Sequence, residues 1–184
     1  MAGFAEAWER WRDGYRPIGY ELRNYDAPHW ARFHSLPFSK RYPETPEERA
    51  LLLDRQNQLG AAVLGEGRIW LVQSVWNDRG APLPHVPGFA LKRGFEFVME
   101  PGTEDESAWT AYAVETRWET GRFDEVLLDI AEDQLPPTLW MSASDGAVFA
   151  PYDGGVDLFV PTVQAVSDLK RTYADWLSPY PGGL

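Results

Sequence analysis

Apolar residues recur along this chain in two rhythms. Near the start, Phe4, Trp8, Trp11 and Tyr15 are spaced four, three and four apart. That is the stripe of an amphipathic helix over 3–13, with Gly14 as its stop. At the other end Val163, Val166, Leu169, Tyr173, Trp176 and Leu177 form a second stripe behind Thr162, which predicts a capped helix over 163–177 followed by a frayed or docked tail. The clearest local signal is Thr45-Pro46-Glu47-Glu48. Thr45 caps, Pro46 suits the first helical position and Glu48 completes a capping box, so a helix runs from 46 to about Gly60 or Gly65 with Leu51, Leu52 and Leu59 inward.

Between these helices the period falls to two. His29–Leu36 is a short strand closed by Pro37, and Arg68–Trp76 alternates with aromatic and β-branched residues. Phe89–Met99 and Ser107–Trp118 are two longer strands joined by the acidic turn Glu100–Glu106. Leu139–Ala143 and Ala147–Tyr152 form a hairpin around Ser144-Asp145-Gly146, and Asp153-Gly154-Gly155 turns the chain into Val156–Val160. Arg122–Gln134 is a short helix, while 16–28 and 77–88 are irregular. Consecutive strands joined by short turns favour an α+β fold, an antiparallel sheet with helices packed mainly on one face. No repeat, linker or low-complexity segment interrupts the chain, so residues 1–184 form a single globular domain.

Composition narrows the function classes. With no cysteine there are no disulfides and no thiolate metal sites, and no apolar run reaches the roughly 20 residues of a membrane span. A cytoplasmic protein that makes no membrane contact is expected. The net charge of −11 is unevenly spread. Residues 1–100 hold 13 Lys/Arg and 13 Asp/Glu, whereas 101–184 hold 4 and 15. An acidic surface repels nucleic acid and anionic lipid and steers a basic protein partner, for which Glu104, Asp105 and Glu106 are the candidate contacts. The same charge also serves plain solubility.

Several chemistries are missing. Gly60-Ala-Ala-Val-Leu-Gly65 begins like a phosphate loop, but Glu66-Gly67 stands where Lys and Ser/Thr are required. There is no G-x-S-x-G elbow and no H-E-x-x-H. Three histidines are few for a metal centre, and His29 and His34, five apart, face opposite ways on a continuous strand. No metal site and no cofactor is expected.

Three constellations remain. Residues 32–42 concentrate Arg32, Lys40 and Arg41 with His34, Ser35, Ser39 and Tyr42. Read functionally, Arg32, Lys40 and Arg41 bind an anion, His34 acts as acid or base and Tyr42 donates a hydrogen bond. Read structurally, the segment fixes a loop between a strand and the next helix. Tyr152-Asp153-Gly154-Gly155-Val156-Asp157 lacks the ligand density of a calcium loop and is a hairpin turn in which Asp153 bonds local amides. The nine tryptophans fall mostly on core stripes, with Trp30, Trp109, Trp118 and Trp140 not assigned to one.

Two stretches carry a resemblance. His34-Ser-Leu-Pro-Phe-Ser-Lys-Arg-Tyr-Pro-Glu-Thr45 with its helix, and Phe149-Ala-Pro-Tyr-Asp-Gly-Gly-Val-Asp157 with the closing helix, resemble a family of short, uncharacterised bacterial proteins, a domain of unknown function. Relatives with a Tyr-Asp-Asp/Gly-Arg-Gly-x-Asp turn keep an arginine where this chain has Gly154-Gly155. The resemblance covers about a third of the chain and implies a bacterial cytosolic protein, of a type sometimes found near toxin systems, with no established activity. The first expectation is a non-catalytic protein-binding domain, immunity- or antitoxin-like, using its acidic C-terminal half. The alternative is an enzyme acting on a phosphoester or other anionic substrate through 32–42.

Overall fold

The computed structural model describes residues 3–78, 80 and 83–178. Five α-helices, α1 (Phe4–Arg12), α2 (Gly19–Tyr25), α3 (Pro46–Leu64), α4 (Asp124–Ala131) and α5 (Val163–Thr172), surround seven strands. These are β1 (Trp30–His34), β2 (Arg68–Trp76), β3 (Lys92–Met99), β4 (Ser107–Arg117), β5 (Thr138–Ser142), β6 (Val148–Tyr152) and β7 (Gly155–Phe159). They make one antiparallel sheet in the order β1-β7-β6-β5-β2-β4-β3. The α+β architecture read from the alternating patterns is therefore the observed one. Residues 16–28, expected to be irregular, contain α2, and the closing helix gives way after Thr172 to a short 3₁₀ turn at Ala174–Trp176. From residue 179 on, the expected tail lies outside the described residues.

Each helix is placed by what its sequence offers the sheet. The Thr45 hydroxyl accepts from the Glu48 amide at 3.2 Å and the Glu48 carboxylate accepts from the Thr45 amide at 3.3 Å, so the capping box forms and starts α3. On one sheet face Leu59, Val63 and Leu64 of α3, Val126, Leu127 and Ile130 of α4 and Val166 of α5 bury Phe33, Leu71, Phe149, Val156 and Leu158. Trp140 sits at the centre, its ring 5.3–5.8 Å from those of Phe123, Phe149 and Trp118, which places two of the unassigned tryptophans in the core. Gly60 explains the close approach there, because any Cβ at that position would overlap the Trp118 indole.

Helices cover both faces of the sheet, which differs from the expectation of packing mainly on one. Successive strand side chains alternate, so Val72, Leu139, Met141, Val148 and Phe159 point away from the first core, and Phe4 and Trp8 of α1 with Leu22 of α2 cover them. The aromatic stripe of α1 thus meets Trp70 and Phe95. Buried polar ties lock the N-terminal helices down: Arg12 pairs with Asp26 and donates to the Gly146 carbonyl at 2.9 Å from Nη2. The Ser74 hydroxyl donates to the Pro17 carbonyl at 2.8 Å. No helix among the described residues is long and apolar enough to cross a membrane.

Candidate functional site

Antiparallel pairing decides which residues meet. The C-terminal ends of β1, β6, β2 and β3 and the N-terminal ends of β7, β5 and β4 lie along one end of the sheet. The turn at 100–106, the segment 133–137, the Tyr152–Gly155 turn and the 35–42 segment all emerge there. The two constellations that looked separate in sequence therefore adjoin, since β1 pairs with β7 from Trp30–Phe159 to His34–Gly155. Gly155 is required at this join: a Cβ would overlap the Phe33 carbonyl oxygen.

The first cleft, about 330 Å³, has this β1–β7 surface as its floor. Arg32 meets Asp157 bidentately, Nε to Oδ1 at 2.8 Å and Nη2 to Oδ2 at 2.9 Å, and the Trp30 indole donates to Oδ1 at 2.8 Å. Both side chains are deeply buried, so only their mutual neutralisation and full hydrogen bonding make the pair tolerable. The Arg32 guanidinium also lies 4.8 Å from the Tyr152 ring centroid. Burial foremost pushes the Tyr152 phenol up to about 12, so it stays a neutral hydrogen-bonding group. At the rim Arg41 pairs with Asp153, and the Tyr42 hydroxyl donates to the same carboxylate at 3.2 Å. Asp153 thus bonds side chains from the 35–42 segment where local amides were expected. Tyr20, Asp133, Leu135, Pro136 and Pro137 complete the walls.

A second cleft, about 600 Å³, opens beside His34, on the other side of the same segment. Leu36, Pro37, Phe38, Asp175, Trp176 and Leu177 line it with His34 and Arg55. The imidazole is held below its usual range by burial first and then by the charges of Arg32 and Arg55. Lys40 faces neither cleft. Its ammonium joins Glu44 at 2.8 Å and both Glu48 oxygens at 2.7 and 2.8 Å, which braces the α3 cap. Among the residues of 32–42 singled out above, Arg32 and Arg41 therefore share one cleft, His34 lines another and Lys40 serves the helix.

Glu104, Asp105 and Glu106 are exposed on the β3–β4 turn, where Glu106 accepts from the Gly102 amide at 2.7 Å. Asp78 and Asp133 are exposed along the same end of the sheet, with Trp76 beside them and Phe38 and Tyr42 further along. The opposite end carries Lys92, Arg68 and Arg117, the last two directly paired across β2 and β4. Folding also redistributes the charge. Arg32, Arg41, Arg49 and Arg68 of the first hundred residues pair with Asp157, Asp153, Glu132 and Glu115 of the rest. The carboxylates of the second half are thereby spread over the fold, with Glu104, Asp105, Glu106 and Asp133 exposed at one end of the sheet and Glu115, Glu119 and Asp145 toward the other.

Arg55, Trp176, Phe38 and Asp133 were not singled out from sequence. Arg55 did leave a signal: it stands three after Leu52 and four before Leu59, a charge on the inward stripe of α3. Among the described residues no group of three or more His, Asp or Glu is placed to hold a metal ion.

An α+β domain with clefts opening at one end of an antiparallel sheet defines the class of molecule. The chain belongs to the family described as a domain of unknown function (DUF3885), whose model matches residues 18–181. No curated protein and no solved structure matches it.

Proposed function

We propose that this chain is a non-catalytic binding protein that presents the acidic end of its sheet to a basic protein partner. The observation that carries the reading is the alignment of exposed Glu104, Asp105, Glu106, Asp78 and Asp133 along one sheet end with exposed Trp76, Phe38 and Tyr42. Acidic groups speed the encounter, and exposed aromatic side chains supply the area that holds it. An immunity-like role in a bacterial cytosol fits such a surface. The alternative, turnover of a phosphoester or other anionic substrate through 32–42, is less favoured because His34, Lys40 and Arg41 point into three different settings.

The test uses a lysine- and arginine-rich peptide as probe and follows backbone amide shifts. Perturbation is expected at 76–78, 100–106 and 133, with an on-rate that falls about tenfold between low and high salt. Replacing Glu104, Asp105 and Glu106 by their amides keeps the turn's acceptors and slows association while the melting curve stays in place. Shifts at the Arg68–Arg117 end, or a rate indifferent to salt, would overturn the reading.

A further inference from the structure

The cleft beside His34 holds an arginine that makes no ion pair with any described residue. Arg55 projects from the buried side of α3, and its Nη1 donates to the His34 carbonyl at 3.1 Å. Among the described residues its Nε is buried without a hydrogen-bond partner, and so is His34 Nε2. No carboxylate among the described residues forms an ion pair with Arg55, although Arg12, Arg16, Arg32, Arg41 and Arg49 each have one. Buried cations and orphaned N–H groups cost stability, and a native chain keeps them where something else completes them. Here the orphaned atoms belong to two neighbouring side chains that line the same cleft.

The surroundings narrow what that something is. The Arg55 guanidinium lies 5.2 Å from the Trp176 ring centroid, and Leu36, Pro37, Phe38 and Leu177 make the rest of the cleft apolar. Phe38 is fully exposed at the lip, and both it (φ 58°) and Ser39 (φ 56°) adopt the left-handed conformation that side chains disfavour. An exposed phenylalanine on a strained turn, above an unsatisfied guanidinium N–H and an unsatisfied ring nitrogen, is an arrangement that packing alone does not explain. Asp175 also lines the cleft, so Arg55 and Asp175 sum to zero formal charge. Burial and the neighbouring guanidinium groups keep the His34 imidazole from adding a proton near neutrality. That balance suits a monoanion and disfavours a dianion.

We propose that this cleft binds a small monocarboxylate carried on an aromatic or other apolar group, with Arg55 and His34 taking the carboxylate and Phe38 and Trp176 enclosing the apolar part. The Arg55 Nη2, which makes no hydrogen bond among the described residues yet is not buried, is the edge that a ligand meets first. Side-on engagement of Nε and Nη2 together, the geometry that arginine favours for carboxylates, then draws the 37–39 turn aside. This site is separate from the acidic surface proposed above, and neither depends on the other.

Phenylacetate and hexanoate are the probes, titrated into the full chain while the Arg55 Nε–H, the His34 ring and the Phe38 and Ser39 amides are followed by NMR. Saturable binding in roughly the millimolar range or tighter is expected for both. Benzyl alcohol, which keeps the ring and lacks the charge, produces none, and inorganic phosphate binds more weakly than phenylacetate. Arg55→Gln weakens phenylacetate binding by about tenfold or more, and Arg55→Lys by less, since the charge survives without the fork. Binding also raises the pH at which His34 titrates. Three results would overturn the proposal: no saturable shift of the wild-type Arg55 and His34 resonances, equal binding by a folded Arg55→Gln variant, or phosphate binding tighter than phenylacetate.

Discussion

The two clefts that flank the 35–42 segment use the same residue type to opposite ends. In the first, Arg32 meets a carboxylate side-on through Nε and Nη2 and faces a neighbouring ring besides. In the second, Arg55 has a carbonyl and a ring but no anion. One arginine is a finished structural element and the other an unfinished site. The difference lies in topology: Arg32 is on β1, whose partner β7 supplies Asp157 from 125 residues away. Arg55 is on α3, where Asp175 lines the same cleft but no carboxylate of the described residues forms an ion pair with it.

The largest expected effect breaks the finished pair. Asp157→Ala leaves the Arg32 guanidinium buried and uncompensated, which costs about 3–5 kcal/mol in denaturant unfolding. Replacing both, as Arg32→Met with Asp157→Leu, recovers much of that loss, because the desolvation of two charges disappears along with their attraction. Arg55→Gln changes stability by no more than about 1 kcal/mol, since it discards a charge that forms no ion pair with any described residue. If Asp157→Ala were as mild as Arg55→Gln, the floor pair would not hold β1 to β7 as its geometry indicates.

The second expectation sharpens the comparison through pH. The folded state holds the His34 pKa below its ordinary value, chiefly by burial and then through Arg32 and Arg55. Well above about 6.5 the imidazole is neutral in both folded and unfolded chains and stability does not depend on it. As the pH falls below that value the unfolded chain takes the proton first, so stability declines until the folded pKa is passed. The loss is at most about 1.4 kcal/mol per pH unit, the slope of one proton, and solvent screening lowers it. Unfolding curves for the wild type and His34→Gln between pH 7 and 5 should diverge in that direction. Parallel curves would mean that His34 titrates alike in both states.

How much of this was legible in advance follows the range of the interactions involved. The capping box of α3 and the alternation of β2 are written within a few residues, and both elements appear where the pattern put them, with β2 spanning Arg68–Trp76. Periodicity also separates the faces of β4: Val114 packs on the core covered by α3 and α4, whereas Ala111 and Ala113 belong to the other. It does not say that a second helical layer covers the other face. α2 escaped notice because its seven residues, Gly19–Tyr25, include only Leu22 as a fully buried apolar position. Nor does a dense run of cations reveal its destinations. Arg32, Lys40 and Arg41 lie within ten positions, yet their carboxylates come from β7, α3 and the Tyr152–Gly155 turn.

The smallest expected effect concerns the rim of the first cleft. Arg41 pairs with Asp153 as Arg32 pairs with Asp157, and on a contact map the two are alike. They differ in solvent: the Arg41 side chain is 65% exposed and that of Arg32 11%. Water competes for the exposed guanidinium, salt screens it, and ordering a long side chain offsets much of what remains. Asp153 keeps a hydrogen bond from Tyr42 when Arg41 is gone, so its carboxylate is not orphaned. Arg41→Ala should therefore melt within roughly 2 °C of the wild type, with the residual difference shrinking further as salt is added. A loss comparable to that of Asp157→Ala would show that the 35–42 segment closes over the cleft in solution and takes Arg41 out of water. The rim and the floor would then act as one buried network, and the contrast between a paired cleft and an unpaired one would have to be drawn at Arg55 alone.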